Sequence, residues 1–249
     1  MTRPPEAAAA IRIGPVLAEA WALFRRDRDW LLALAGPFLF LPAFALALLV
    51  PPPPTATGAG EAQALDWARA VSGWAAEHGG WHLLAFAVAC FGAAALYAAY
   101  LAAGDVRGAL RRAGPVLPRY LLAMLLIGLP TAAGLLLWVV PGLYVMGRAM
   151  LTGPALVAER PIGAAAAAGR SVRLTRGAGL PMAALASIPW LGGVLLAQPF
   201  VMLAERLREG GAGTLALALA GAGLAGVAAA STLAQALIAV AAYRRLSAR

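Results

Sequence analysis

Long apolar runs alternate with short polar segments along most of this chain. The first run extends from Trp30 to Val50, and a helix of that length spans about 30 Å, the thickness of a bilayer core. Pro37 and Pro42 lie inside this run, which membrane helices tolerate better than soluble ones. Further runs occupy residues 81–103, 120–158, 180–200 and 214–243. The pattern predicts an all-α fold, a polytopic bundle of membrane-spanning helices.

The run from Tyr120 to Ala158 is too long for one crossing and suits two. Pro141-Gly142 is a turn signal near its middle, so the sequence predicts crossings at 120–140 and 142–158. Residues 30–249 then form one six-span membrane domain with spans at 30–50, 81–103, 120–140, 142–158, 180–200 and 214–243. Residues 1–29 precede it, and residues 51–80 form a loop on the opposite side.

The arginines decide between one and two crossings in that long run. The 20 basic residues are all arginine. With two crossings, 16 of them lie on one side and only Arg69, Arg206 and Arg208 on the other, whereas one crossing would give 11 and 8. Positive charge in short loops marks the cytoplasmic side. The split therefore favours six spans in a bacterial inner membrane, with a periplasmic loop at 51–80 and both termini cytoplasmic.

Short amphipathic segments precede several spans. In the stretch Ile13–Phe24, apolar residues recur at i, i+3, i+4 and i+7 and form one stripe, which predicts a helix lying in the headgroup plane. Residues 106–113 and 162–176 are similar elements, and residues 63–76 of the loop predict another short helix. The segments at 13–24, 106–113 and 162–176 add cytoplasmic-side interfacial helices to the bundle, whereas the helix at 63–76 belongs to the periplasmic loop.

The composition agrees with a membrane location and narrows the partners. The chain is 62% hydrophobic and 12% charged, with a net charge of +9 and a mean hydropathy of +0.78, whereas soluble domains are about 25% charged. The arginines flank apolar spans instead of forming a basic domain, so the expected partners are membrane lipids with anionic headgroups at the cytoplasmic face, not nucleic acid. A single cysteine, Cys90, excludes an internal disulfide or thiolate metal site. No cofactor and no metal are expected.

Three stretches resemble the signature of a group of bacterial multi-span proteins. They are Pro141-Gly142-Leu143-Tyr144-Val145-Met146-Gly147-Arg148, Pro154-Ala155-Leu156-Val157-Ala158-Glu159, and residues 167–177, which read Ala-Ala-Gly-Arg-Ser-Val-Arg-Leu-Thr-Arg-Gly. The group includes the uncharacterised YciC-like inner-membrane proteins and the membrane domain attached to some glycerophosphoryl diester phosphodiesterases. The resemblance implies an all-helical bundle of about six spans. The phosphodiesterase activity of the fused members belongs to a separate soluble domain, so the resemblance implies a membrane domain without its enzyme.

Arg148 is the most conspicuous candidate for a functional residue. It lies roughly 10 Å inside the fourth predicted span, where a charged side chain costs at least ~2.5–3.5 kcal/mol. One interpretation is a contact with a headgroup phosphate or anionic substrate. The other is structural: the arginine snorkels to an interface or caps carbonyls near the Pro141-Gly142 turn.

The remaining candidates are polar groups with ordinary structural alternatives. Glu159 is expected to pair with Arg170 or Arg173, and with Arg176 these residues complete a candidate anion-contact set around Arg148. His78 and His82 are four apart, but Gly79-Gly80 between them argues against a helix that would let them share a metal. Polar residues of the last two spans suit either a transport pathway or interhelical packing: Gln198, Ser231, Thr232 and Gln235. Ala218, Ala222, Gly226 and Ala230 form a small-residue ridge on the last span, suited to close packing with a helix of this or another chain.

No pair of carboxylates has a spacing suited to acid–base catalysis, and the metalloprotease, phosphate-loop and serine-hydrolase motifs are absent from the sequence. The sequence therefore favours a membrane protein without a catalytic site of its own, one that interacts with lipids or with a protein partner, including a second copy. The alternative is a small transporter or a lipid or anion carrier with Arg148 in its pathway, because broken helices often build such sites.

Overall fold

The computed structural model describes residues 11–55, 61–103 and 105–248, and within them every regular element is a helix. The α-helices are α1 Ile13–Ala35, α2 Leu41–Leu49, α3 Glu61–Ala98, α4 Val106–Leu137, α5 Val139–Ala149, α6 Thr152–Ala158, α7 Ala164–Leu174, α8 Gly179–Glu209 and α9 Thr214–Ser247. Two π-helical segments, Gly36–Phe40 and Ala99–Ala103, join α1 to α2 and extend α3. The all-α prediction is confirmed.

Five helices in the described residues are long and apolar enough to cross a membrane. They are Ile13–Leu49, Gln63–Ala102, Val106–Leu137, Gly179–Glu209 and Thr214–Ser247. They correspond to all the predicted spans except the fourth. The length and apolar composition of these helices therefore identify the chain as a multi-pass membrane protein.

The fourth predicted span, 142–158, is a broken helix. It consists of α5, with 11 residues, and α6, with 7, separated by a turn at Met150 and Leu151. Neither piece alone matches the thickness of a bilayer core, since 11 residues of helix reach only about 16 Å. Together the two pieces return the chain to the end from which α4 begins, where an Arg160 guanidinium nitrogen donates to the carbonyl of Arg112.

The turn between α4 and α5 comes earlier than predicted. The extended residue is Trp138, with φ −161° and ψ 138°, and Pro141 and Gly142 lie in the first turn of α5. Proline suits that position because its missing N–H has no helical partner there. Gly142 acts in packing instead: a Cβ on Gly134 would lie 2.8 Å from the Gly142 Cα, so the two helices of this hairpin touch through glycine backbone.

The separate in-plane helix predicted at Ile13–Phe24 is wrong in geometry. The segment is the beginning of α1 and continues without a break toward the membrane span. The stripe residues Val16 and Ala20 are buried in the protein core, as is Leu23, whereas the stripe residue Trp21 is exposed. An apolar stripe at helical spacing predicts a buried face, and the sequence does not say whether lipid or protein covers it. Residues 106–113 likewise form the start of the long α4, and only 162–176 contains a separate short helix, α7.

The segment before the second span is also helical throughout. Residues 63–76 belong to α3, which continues through Gly79-Gly80 toward the membrane. The expected interruption at these glycines is therefore wrong. The indole nitrogens of Trp67 and Trp74 each donate a 3.0 Å hydrogen bond, to the carbonyls of Pro54 and Pro51 respectively, and so hold the proline-rich segment against α3.

Packing is densest at the end of the bundle that carries most of the arginines. Fully buried side chains there include Leu31, Leu96, Leu151, Leu156 and Val240. At the opposite end of the α4–α5 hairpin, Leu136 is 88% exposed and Trp138 77% exposed, as expected of side chains facing lipid. We call the compact end the arginine-rich end. Contacts between Arg245 and Glu19, and between Arg244 and the Tyr100 carbonyl, join the start of α1, the end of α3 and the end of α9 there.

Candidate functional site

The break between α5 and α6 is held by one serine of α7. The Ser171 hydroxyl donates to the carbonyl of Arg148 at 2.7 Å and accepts from the Leu151 N–H at 3.1 Å. A helix interruption frees backbone groups that must find other partners in a low-dielectric interior. Ser171 is fully buried and supplies partners to both sides of the break. Neither this role nor the break is predicted from the sequence, since its pattern indicates one continuous span at 142–158.

Arg148 caps the C-terminus of α7. Its guanidinium donates to the Val172 carbonyl at 2.8 Å and to the Thr175 carbonyl. The last carbonyls of a helix lack intrahelical partners and carry partial negative charge, so an arginine is a suitable cap. Of the two interpretations of Arg148, the geometry matches carbonyl capping, although the capped helix is α7 and not the turn at Pro141-Gly142.

Thr175 completes this hydrogen-bonded knot. It is fully buried, and its hydroxyl donates to the carbonyl of Ser171 at 2.8 Å. Thus Arg148, Ser171 and Thr175 link the broken fourth span to α7 through backbone groups. We refer to these three residues as the α7 knot. It lies within the signature stretches noted in the sequence.

Glu159 is bonded from two directions at the end of α6. The Arg170 Nε lies 2.9 Å and 3.0 Å from its two carboxylate oxygens, and the Tyr243 hydroxyl donates to it at 2.8 Å. The pairing with Arg170 agrees with the sequence prediction, and Tyr243 is an unforeseen third member. The side chains of Arg170 and Glu159 are 34% and 30% exposed, so the pair is partly screened by water. It connects α6, α7 and α9.

The other members of the candidate set, Arg173 and Arg176, do not join Arg148 or Glu159. Both side chains are exposed, one on the last turn of α7 and the other in the turn that follows. The structure therefore divides the predicted set. Arg148, Glu159 and Arg170 hold helices together, and Arg173 and Arg176 face outward.

A second group of arginines lies beside the first and was not singled out in the sequence. Arg112 and Arg119 are seven residues apart on α4 and hence on nearly the same face. Arg160 reaches this face through its bond to the Arg112 carbonyl. Burial lowers the pKa of Arg160, and the charges of Arg112 and Arg119 lower it further. All three residues are exposed, so an anion from outside can reach them.

Glycines of the signature stretches mark close helix crossings. A Cβ on Gly147 would lie 2.4 Å from the Ala183 backbone nitrogen of α8, and one on Gly153 would lie 2.6 Å from the Tyr97 ring. Only glycine permits such an approach of backbone to backbone or ring. These packing constraints give a physical reason for Gly147 in the first signature stretch and for Gly153, which directly precedes the second.

The remaining predicted polar residues show local structural bonds. Gln198 donates to the Val194 carbonyl and Thr232 to the Ala228 carbonyl, each four residues back in its own helix. The His82 ring lies 3.3 Å from the carbonyl of His78, and the described residues contain no group of three or more candidate metal ligands. Hydrogen bonds within one helix are what the packing interpretation expects for Gln198 and Thr232. They give no support to a role of these two residues in transport.

The helices define a multi-pass, all-helical membrane protein, and the hydrogen-bonded knot lies at the break in the fourth predicted span. No protein-family model, no curated protein and no solved structure matches the chain.

Proposed function

We propose that this chain is an integral inner-membrane protein without a catalytic site of its own, whose arginine-rich end binds anionic lipid headgroups in the cytoplasmic leaflet. The observation that carries the proposal is the cluster of Arg112, Arg119 and Arg160. Arg112 and Arg119 lie on nearly the same face of α4, and Arg160 is close enough for their charges to lower its pKa, so a phosphate bound there would relieve the repulsion among these exposed residues. Arginine suits this role because its planar fork binds phosphate bidentately.

The orientation of the protein is part of the same proposal. Contacts at one end of the bundle involve all four arginine-rich segments that the positive-inside rule assigns to the cytoplasm. An anionic leaflet contributes about 1 kcal/mol per arginine near its surface, so the two features support each other. Both termini then face the cytoplasm, and the proline-rich segment 51–54 faces the periplasm.

Membership in the group of YciC-like proteins and phosphodiesterase membrane domains also stays a proposal. It is supported by the convergence of the three signature stretches: the α7 knot draws on the first and third, and the Glu159–Arg170 pair on the second and third. A chance likeness of Ala-, Gly- and Leu-rich segments does not require such residues to meet. Membership implies a membrane domain that works beside a soluble enzyme or another protein partner.

The second candidate function is a small transporter or a lipid or anion carrier. The discontinuous α5–α6 span favours it, since broken helices often surround transport sites. Against it, the guanidinium of Arg148 is already bonded to two carbonyls of α7. A carrier that used Arg148 would have to break these bonds in each cycle.

The test of lipid binding uses the full-length protein in nanodiscs of equal parts phosphatidylglycerol and phosphatidylcholine. Native mass spectrometry after gentle release counts the lipids of each type that stay bound. Replacing Arg112 and Arg119 by Gln should reduce retained phosphatidylglycerol, and the same reduction should follow from high salt in the wild type. The control replaces Arg206 and Arg208 by Gln, which removes the same charge from exposed residues at the other end of the bundle.

Equal phosphatidylglycerol retention by the two double variants would refute the headgroup proposal. The carrier alternative is tested separately, by lipid scrambling and anion flux in proteoliposomes. Transport that is lost on the change Arg148→Leu, in a protein that still folds, would favour the carrier.

A further inference from the structure

An open apolar groove of about 650 Å³ lies between α1, α8 and α9. Trp21, Phe24, Leu32 and Phe40 form one wall, and Gly226 and Ala230 lie on α9 opposite. Its volume is in the range of small-molecule sites, roughly 300–1,000 Å³. The groove is far from the Arg112–Arg119–Arg160 cluster in the sequence and uses none of its residues.

One cation interrupts the apolar wall of α1. Arg28 follows Phe24 by four positions and precedes Leu32 by four, so it lies on the same helical face as these two lining residues. Its side chain is 69% exposed, and its ionic contact is the neighbouring Asp29 at 3.5 Å, itself 96% exposed. Exposed pairs of this kind contribute little, so the guanidinium can accept another anion.

Asp27, the acid that directly precedes Arg28, makes its contacts on a different face of α1. Asp27 is bonded to Arg26 at 2.8 Å and to the Tyr100 hydroxyl at 2.9 Å. It lies about 100° around the helix from Arg28. Arg25, which is exposed, lies about 60° from Arg28 on the other side of it. The groove is therefore bordered by positive charge at the position of Arg28 along α1.

The position of Arg28 along the groove matches a lipid. Twelve positions separate it from Phe40, which is about 18 Å along a helix. One leaflet of a bilayer core is about 15 Å deep. Above Arg28, Trp21 and Phe24 stack with centroids 5.5 Å apart, and aromatic rings are typical of the headgroup level. The groove is lined on both sides of Arg28, by Leu17 to Phe24 toward the start of α1 and by Leu32 to Phe40 in the other direction. The part from Arg28 to Phe40 combines a charge with an apolar channel about one leaflet deep, which are the two halves of a phospholipid site.

We propose that this groove binds one acyl chain of an anionic phospholipid whose phosphate contacts Arg28. A transmembrane helix from a second copy fits the groove less well, because it would cover Arg28 with apolar side chains and bury a charge with only an exposed carboxylate beside it. A lipid phosphate instead supplies a bidentate partner for the guanidinium. The inference rests on the proposed function in one respect, that this end of the protein faces anionic lipid.

The experiment compares two groove variants with two matched controls in the same mixed nanodiscs. Ala230→Leu narrows the groove, and Ala228→Leu makes the same change at an exposed position of α9 that does not line it. Arg28→Gln removes the groove charge, and Arg107→Gln removes an exposed charge from α4. Thermal melting of each purified variant shows that it is folded.

The groove of the wild type should hold one phosphatidylglycerol per chain in preference to phosphatidylcholine, in addition to any held at the Arg112–Arg119–Arg160 cluster. Arg28→Gln should weaken that retention by about tenfold or more, since a charge-assisted bond is lost. Ala230→Leu should also weaken it, because the added side chain narrows the channel, and both controls should behave like the wild type. Retention in Ala230→Leu equal to that in Ala228→Leu would overturn the proposal. A wild-type dimer that Ala230→Leu dissociates would also overturn it and make the groove an interface between copies.

The two proposals fail separately. If replacing Arg112 and Arg119 has no effect while Ala230→Leu and Arg28→Gln lose the lipid, the groove site stands and the headgroup cluster does not. If only the Arg112 and Arg119 variant loses phosphatidylglycerol, the headgroup cluster stands and the groove site is refuted.

Discussion

Arg148 is the residue whose replacement best separates architecture from recognition. Its two hydrogen bonds to the Val172 and Thr175 carbonyls are charge-assisted, and each such bond contributes about 1.5–3 kcal/mol when buried. Because Arg148 is only partly buried, water replaces some of that energy, and we expect Arg148→Leu to cost about 2 kcal/mol in total. Removing the charge also removes the cost of holding a charged side chain in the membrane, which should stabilise the leucine variant. That cost is small here, because the guanidinium lies at the arginine-rich end against helix carbonyls.

The lysine variant should be intermediate. The ammonium of lysine is a point charge and lacks the planar fork of the guanidinium, so it reaches one carbonyl instead of two. Arg148→Lys should therefore lower the free energy of unfolding by about half as much as Arg148→Leu. For a chain of this size, 1 kcal/mol corresponds to about 2–4 °C in melting temperature. We therefore expect the purified protein to lose about 2–4 °C with lysine and about 4–8 °C with leucine.

The control is Arg173→Leu, the same change at an exposed position of the helix that Arg148 caps. A surface change of this kind should stay within about 0.5 kcal/mol of the wild type. Retained phosphatidylglycerol should be the same in both Arg148 variants as in the wild type. Two results would refute the capping argument: an Arg148→Leu protein that melts like the wild type, or an Arg148→Lys protein that melts normally but loses its lipid.

Three further predictions follow from the helix break, the helix crossings and the charge distribution. Ser171→Ala leaves buried groups on both sides of the break without a partner and should cost about 1–3 kcal/mol in thermal unfolding, whereas Ser187→Ala, which removes a bond within one helix, should cost less. Gly147→Ala forces a methyl into the backbone of α8 and should cost about 1–3 kcal/mol, whereas Gly192→Ala has open space and should be neutral or stabilising; equal melting of the two would contradict the crossing geometry. A topology reporter fused at Gly210 should report the periplasm, and one at the C-terminus the cytoplasm; a cytoplasmic signal at Gly210 would exclude six spans.

The long apolar runs made the fold class predictable, because a continuous run of bilayer length has few other solutions. The boundaries were less predictable. Pro141-Gly142 is a strong turn signal in isolation, but proline is equally suited to a first helical turn, and the chain turns at Trp138 instead. The stripe of Ile13–Phe24 predicts a face toward lipid headgroups, but its residues Val16 and Ala20 pack into the protein. Hydrophobic periodicity identifies a face to be covered and not what covers it.

The candidate site was predictable only where partners are close in sequence. Glu159 and Arg170 lie on adjacent segments, so their pairing was a reasonable expectation. The bond from Arg160 to Arg112 joins residues 48 apart, and the bond from Tyr243 to Glu159 joins residues 84 apart. No periodicity or spacing rule reveals contacts of that range. The capping of α7 by Arg148 was missed for a related reason, since the end of a helix must be placed in space before its free carbonyls can be assigned a donor.

Some arginines are bonded within the protein and others are exposed, and this difference connects the structure to a function. An arginine whose guanidinium is bonded to two backbone carbonyls or to both oxygens of a carboxylate, as in Arg148 and Arg170, stabilises the protein and has little capacity left for a ligand. Arg28 and Arg112 are exposed at places where anionic lipid would be met, one beside an apolar groove and one within a cluster of like charge. Counting positive charges therefore overstates the lipid-binding surface, whereas subtracting those already bonded leaves two separate places to test. If lipid binding is the function, it should respond to changes at Arg28 or Arg112 and not to changes at Arg148.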